Sequence, residues 1–180
     1  VLQTANKLSQ GRCLCVYTFD PAPTAIVAPT RHQPRICTLE DRVQLLEQAG
    51  AQEVVIEKFT QEFAELSAKD FAENILIAAL RAQVVVVGYD FHFGKNRQGD
   101  ADYLRQGWPW LRVEVVEGLQ KEGAVVSSSR IRRLVQQGEV KAAAELLERF
   151  HWLSGEVIHG DHRGRTIGFP TANLQNQVEL

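Results

Sequence analysis

An α/β fold, with a parallel sheet covered by helices on both faces, is what this sequence predicts, and three observations carry the prediction. Strand-like and helix-like segments alternate along most of the chain, as in βα units joined by right-handed crossovers. One run, Val84 to Val87, is apolar at every position, which suits a strand covered on both faces. Capping residues and glycines stand at the spacing that helix ends require.

Arg12 to Phe19 (RCLCVYTF) reads as a buried strand, ended by Phe19-Asp20-Pro21-Ala22-Pro23 because proline cannot continue a central ladder. Thr38 with Asp41 three residues later resembles a capping box. Leu39, Val43, Leu46 and Ala49 then form an apolar stripe and Gly50 suits the C′ position, which predicts a helix of about three turns. Glu53 to Glu57 is a short strand. Ser67 with Asp70 opens a helix through Leu80, its apolar face carried by Phe71, Ile75, Ala78 and Ala79. Beyond Val84 to Val87 come a strand over Arg112 to Val116, a helix over Ser129 to Gln137 closed by Gly138, and a helix over Val140 to Arg149. After Phe150 the glycines at 155, 160, 164 and 168 punctuate β-branched residues, which predicts a boundary near Phe150 and the opening of a β domain.

Composition narrows the function. A length of 180 residues allows one domain, or one and part of a second. The net charge is -2 and the cations are scattered except for Arg130, Arg132 and Arg133. A general polyanion-binding face is therefore not expected, and a local phosphate site is. Cys13, Cys15 and Cys37 match neither a metal pair nor a secreted disulfide framework. Two apart on a strand, Cys13 and Cys15 are expected to face one side as small buried apolar residues. No apolar stretch reaches the roughly 20 residues that cross a bilayer, and no signal pattern opens the chain, so cytoplasm is the expected location. The sequence starts at Val1 and contains no methionine, as expected of one that begins inside a longer chain.

Two stretches carry chemistry. Gly88 to Asp100 (GYDFHFGKNRQGD) follows the apolar strand, at the end where open α/β sheets bind ligands. Its glycines permit tight turns, Lys95 and Arg97 can meet phosphate, and Phe91 and Phe93 can pack on a ring or join the core. Ser127-Ser128-Ser129-Arg130-Ile131-Arg132 places hydroxyls and free N–H groups at a helix start, with arginines one turn in that can clamp phosphate oxygens. Taken singly, the first also reads as an exposed loop with two core aromatics, and the second as an N-cap before a solvated basic face. Together they favour a nucleotide site. His159, Asp161 and His162 match no zinc spacing and read as a surface turn, and no serine sits on a nucleophile elbow.

Four strings, FDPAP (Phe19 to Pro23), VVVGYDFHFGKNRQGD (Val85 to Asp100), SSSRIR (Ser127 to Arg132) and GRTIGFPTAN (Gly164 to Asn173), resemble the signatures of the bifunctional prokaryotic FAD synthetases, in that family's order. Such enzymes are riboflavin kinase and FMN adenylyltransferase in one chain. The resemblance implies a nucleotidyltransferase (Rossmann-like) domain over residues 1–149, missing its N-terminal part, and the truncated start of a riboflavin kinase β-barrel over 150–180. It implies that Ser127, Ser128 and Arg132 hold ATP phosphates, with Arg132 catalytic through charge neutralisation. Phe19, Pro21, Asp90, Phe91, Phe93 and Arg97 would shape the flavin and nucleotide pocket. Thr171 and Asn173 would bind ATP and Mg²⁺ in the kinase module. ATP, FMN and riboflavin are the implied substrates, and neither nucleic acid nor a membrane is an implied partner.

The chain also departs from the family pattern. A His-x-Gly-His motif belongs just ahead of the position matching Val1, and a general-base glutamate beyond that matching Leu180, so the chain by itself is expected to be catalytically incomplete. Ala22 stands where FDPHP has histidine, and Glu148-Arg149-Phe150 where the family has Gly-Arg-Pro. Two alternatives remain: another nucleotidyltransferase of the same fold with a different acceptor, and a flavin- or nucleotide-binding protein without catalysis.

Overall fold

The computed structural model describes residues 1–31, 33–160, 168–169 and 171–176. The chain forms two compact units, one of residues 1–33 and 44–119, the other of residues 34–43 and 120 onward.

In the first unit, α1 (Leu2–Ser9) leads to β1 (Cys15–Phe19), α2 (Pro23–Val27) and a 3-10 turn, Pro29–Arg31. Helix α3 (Leu39–Gln48) ends in this unit and runs on to β2 (Glu53–Glu57), α4 (Gln61–Ala64) and α5 (Ala68–Asp70), which continues as a π-helix over Phe71–Ala79. Then follow β3 (Val84–Gly88), a 3-10 turn at Lys95–Arg97, α6 (Ala101–Gly107) and β4 (Arg112–Val116). The alternation predicted from the sequence is present, and the strand bounds at Glu53–Glu57 and Arg112–Val116 agree with prediction. The first strand is shorter than predicted, because Arg12 turns its side chain to Gln83 and pairing with β2 begins at Cys15.

The sheet differs from the single one predicted. β1 pairs with β2 in parallel (Cys15↔Glu53) and β3 with β4 in parallel (Val84↔Arg112), and these are separate two-stranded sheets. Val84 to Val87 are consequently half-buried rather than covered. Cys13 is exposed and lies before the strand, and Cys15 is half-buried, so the two do not form the buried pair expected. The core sits beside β3 and β4, where Leu104 of α6 is 0% exposed and packs with Phe71, Ala72, Leu76 and Val113.

Ser67 opens its helix as predicted: its hydroxyl accepts from the Asp70 N–H at 3.0 Å and donates to the Asp70 carboxylate at 2.7 Å. The turns that follow are wider than those of an α-helix, with the Leu80 N–H reaching Ile75 O, an i→i−5 bond. That change of period moves the buried face from the predicted Phe71, Ile75, Ala78 and Ala79 to Phe71, Ala72 and Leu76.

The second unit holds the hairpin β5 (Gln120–Lys121) and β6 (Ala124–Val125), α7 (Ser128–Gln136), α8 (Val140–Leu147) and the antiparallel pair β7 (Gly155–Ile158) and β8 (Asn173–Asn176). Helix α7 starts one residue earlier than predicted, because Ser127 caps it, and it ends at Gln136, just ahead of Gly138, whose φ is +78°. Helix α8 stops at Leu147 instead of Arg149 because Glu148 takes the left-handed conformation, φ +55°. The family's glycine suits that conformation and glutamate does not. Val157 on β7 is 66% exposed. One antiparallel hairpin is thus the β structure among the described residues after Phe150. The remainder of the glycine-punctuated stretch, residues 161–167 and 170 with Asp161 and His162 among them, lies outside the described residues.

A buried carboxylate ties the end of this unit to the start of α3. Thr38 accepts from the Asp41 N–H at 3.1 Å, as the capping box predicted. Asp41, 8% exposed, accepts from Trp152 Nε1 at 3.1 Å and from the Ser154 hydroxyl at 2.9 Å. The Trp152 bond first, then those of Ser154 and Thr38, holds the carboxyl below its ordinary value of 3.8 against the opposing effect of burial. Asp41→Ala leaves the indole N–H without its acceptor and should cost about 2 kcal/mol, read by chemical denaturation. A depressed folded pKa contributes stability above the ordinary value and loses it as pH falls through the folded value. The wild type should therefore lose stability below about pH 4 by a component that Asp41→Asn lacks. Glu148→Gly should stabilise by about 0.5–1 kcal/mol, seen as a higher Tm.

Candidate functional site

Within the first unit a cavity of about 1070 Å³ runs between β1 and β3. Val16 and Tyr17 line it on one side and Val84 to Val87 on the other; Phe19, Phe91, Phe93 and Arg97 stand at the strands' carboxyl ends. Polar groups stand at both ends, Arg12 and Gln83 at the strands' amino ends and His92 and Arg97 at their carboxyl ends, and a mostly apolar cavity with a few polar groups is the usual form of a small-molecule site.

The loop after β3 is held by close backbone packing. Gly94 has φ +72°, and a Cβ there would lie 2.6 Å from Ala68 N and Cα. The Lys95 N–H donates to Leu66 O at 2.7 Å, and Phe93 and Gly99 exchange two backbone bonds of 2.9 Å. Both fasten the loop next to the start of α5. The Phe93 ring, 7% exposed, covers Gly99 and stacks on Phe91 at 5.3 Å with planes 25° apart. Of the two aromatics, Phe93 is a core residue and Phe91, half-buried, lines the cavity beside it.

Lys95 pairs with Glu65 at 2.6 Å on the surface, a contact worth little by itself. Arg97 Nη2 and the Asp90 carbonyl both lie 2.9 Å from His92 Nδ1. One ring nitrogen serves only one of them: protonated it donates to Asp90, bare it accepts from Arg97. Asp90 is exposed and Pro21 half-buried, and neither lines the cavity.

In the second unit Ser127 caps α7, its hydroxyl accepting from the Arg130 N–H at 3.3 Å. The N–H groups of Ser128 and Ser129 therefore open the helix toward solvent at its positive end. The two arginines read alike from the sequence are distinguished here. Arg130 donates to Lys121 O at 3.0 Å and to Glu122 at 2.9 Å, holding the β5–β6 turn. Half-buried Arg132 donates through Nε to Pro34 O at 2.6 Å, and burial lowers its pKa from the ordinary value. Thr171 and Asn173 are exposed beside the β7–β8 pair, and the Asn173 side chain occupies the space that a Cβ at Gly160 would fill.

The cavity wall also includes residues that motif reading missed. Phe59 and Phe63 edge onto Phe19 at 5.2 and 5.6 Å, and Leu2 and Ala5 of α1 line the opposite end. Phe59 and Phe63 stand four apart around Thr60, whose hydroxyl caps α4 by accepting from the Phe63 N–H at 3.1 Å; that spacing was the available signal.

A sequence model of the FAD synthetase family matches residues 1–130. The chain belongs to that family. A riboflavin kinase model matches residues 147–180. Among curated relatives, the bifunctional riboflavin kinase/FMN adenylyltransferases of Listeria monocytogenes and Bacillus subtilis are 36% and 37% identical, each over 97% of this chain and over 57% and 56% of their own lengths. That of Escherichia coli is 33% identical over 91% of the chain. The chain thus spans a little over half the length of these FAD synthetase relatives. A crystal structure from Streptococcus pneumoniae described as a macrolide-efflux protein is similar with TM-score 0.85 and 32% identity, over 98% of this chain and 58% of its own. No helix among the described residues is long and apolar enough to cross a membrane.

Gly94→Ala places a Cβ against backbone and forces a left-handed φ on alanine. It should cost about 1–3 kcal/mol and loosen the loop that carries Phe91 and Arg97. Gly107→Ala, at the end of α6 with open space around it, should leave Tm unchanged or raise it in the same thermal denaturation.

Proposed function

We propose that the intact protein makes FAD in two steps, phosphorylating riboflavin with ATP to FMN and ADP, then adenylylating FMN with ATP to FAD and pyrophosphate. The observation that carries this reading is the apolar cavity with an aromatic mouth inside the segment that the FAD synthetase model covers. An isoalloxazine ring is flat and apolar on its faces, and Phe19 and Phe91 offer it matching surface.

In the second step an FMN phosphate oxygen attacks the α-phosphorus of ATP in line. One P–O bond forms as the bond to the β-phosphate bridge breaks, and pyrophosphate leaves with the electron pair. Little covalent help from the protein is needed, so positioning and charge stabilisation set the rate. Ser127 and Ser128 supply hydroxyls and helix-end N–H groups to the phosphates, and Arg132 neutralises charge that develops on the leaving oxygens. Phe19, Pro21, Asp90, Phe91, Phe93 and Arg97 shape the flavin side.

Residues 1–149 belong to the adenylyltransferase domain of the intact protein and residues 150–180 open its riboflavin kinase barrel. Mg²⁺ belongs with the nucleotide, and the donors suit it. The Thr171 hydroxyl and the Asn173 amide oxygen are hard oxygen ligands on exposed residues. Mg²⁺ is commonly held by few protein oxygens together with phosphates; when bound it supplies charge neutralisation there. The working place of the protein is the cytoplasm and its partners are flavins and ATP, without nucleic acid or membrane, a reading supported by the net charge of -2 and the scattered cations.

The intact protein, given riboflavin, Mg²⁺ and ATP, should form FMN and then FAD by chromatography; absence of both products overturns the proposal. Arg132→Lys keeps a charge and loses the planar fork. It should lower FAD formation from FMN by about 100-fold while riboflavin phosphorylation and Tm stay near wild type. An equal loss of both activities would contradict separate sites.

A further inference from the structure

The direction in which Arg132 faces is set from outside its helix. Its Nε donates to Pro34 O at 2.6 Å, and the guanidinium is a rigid plane, so the place of that carbonyl orients the whole fork. Pro34 opens a stretch that belongs to no helix or strand until α3 begins at Leu39. Among the described residues no strand ladder holds this stretch, and proline has no N–H to offer one.

The segment after α8 grips it instead. Ile36 O lies 3.0 Å from His151 Nε2. A carbonyl only accepts, so Nε2 carries the hydrogen and donates it. Trp152 Nε1 donates to Asp41 Oδ1 at 3.1 Å, beside the Ser154 hydroxyl at 2.9 Å. Asp41 is joined back to the stretch through Thr38, whose hydroxyl accepts from the Asp41 N–H at 3.1 Å. Trp152 is fixed in turn by the Arg149 guanidinium, 4.1 Å from the centre of its ring. The stretch is thus held two residues from Pro34 and again where it enters α3. All of these residues lie in the second unit.

The two sides of this grip come from differently matched parts of the chain. Pro34 to Asp41 fall where the FAD synthetase model matches, and His151 to Ser154 where the riboflavin kinase model does. We propose that His151 and Trp152 are positioning residues for adenylyl transfer: from the kinase-matched segment they hold the stretch from Pro34 to Asp41, and through Pro34 O they aim Arg132 at the leaving phosphates. The inference rests on the role given to Arg132 above. It makes FAD formation depend on residues that act without touching either substrate.

The test uses the intact protein and reads the anchor apart from the chemistry. His151→Ala removes the donor to Ile36 O, whereas His151→Gln keeps an N–H donor. By NMR the Arg132 Nε–H, assigned by its loss in Arg132→Lys, should exchange slowly with solvent in the wild type. His151→Ala should speed that exchange about 10-fold and His151→Gln should largely restore it. With FMN and ATP, His151→Ala should lower kcat for FAD formation about 10-fold at unchanged KM for FMN, again with recovery in His151→Gln. Trp152→Phe keeps the ring beneath Arg149 and loses the N–H; it should lower kcat in the same way, and it serves as the test if His151→Ala does not fold. In an Arg132→Lys background neither change should lower kcat further. Unchanged exchange at Arg132, or a full further loss of kcat in that background, overturns the proposal. Exchange that responds as expected in a wild type that forms no FAD supports the anchor and overturns the function assigned to it.

Discussion

The aromatic seam from Phe19 through Phe63 and Phe71 to Phe93 is the interaction on which the first unit depends. β1–β2 and β3–β4 share no ladder, so their carboxyl ends are joined by side chains instead of backbone bonds. Rings meeting edge to face at 5.6 and 6.2 Å, and tilted at 5.3 Å, supply both buried area and a preferred geometry. The seam spans the open end of the cavity, so the residues that hold the strands together also form part of the ligand mouth. Gly94 and Gly99 belong to the same device, because each removes a side chain where Ala68 or the Phe93 ring must approach.

In the second unit, polar contacts do comparable work. Arg130 fastens the β5–β6 turn and Arg132 the strand-free segment at Pro34, so α7 presents its serine-rich start from a braced position. Asp41 receives Trp152 and Ser154 at the other end of the unit. Trp152 and Ser154 both donate to Oδ1 of this buried carboxylate and offset part of its loss of hydration, while Oδ2 has no hydrogen-bond partner among the described residues. Bracing through charged and amide groups suits a unit whose β7–β8 pair exposes its apolar residues and contributes little core.

Much of this was legible in the residues themselves. Caps at Thr38, Ser67 and Ser127 are local, since a hydroxyl three positions before an N–H needs nothing distant; the first two were found where the spacing put them, and the third opens its helix one residue earlier than predicted. The short apolar strands were legible for the same reason. The helix after Asp70 was found, but its π turns were not: no residue type marks that period, and the burial of Ala72 in place of Ala78 follows from it. Helices α1, α2, α4 and α6 are short enough that their apolar residues form no long periodic stripe, and packing decides them.

By itself the sequence determined the alternation of elements, their caps, the family through four short strings, and the candidate site residues by type. The tertiary structure decided which of those residues share a cavity. It separated Phe93, committed to the core, from Phe91 at the cavity wall, and Arg130, committed to a turn, from Arg132 beside Pro34. Among the described residues it also left β1 and β3 each with one strand partner. The physical reason is range. Caps, turns and periodicity depend on neighbours a few positions away, whereas ring contacts, strand pairing and the partners of a guanidinium join residues tens of positions apart, and no local pattern encodes which distant group will be there.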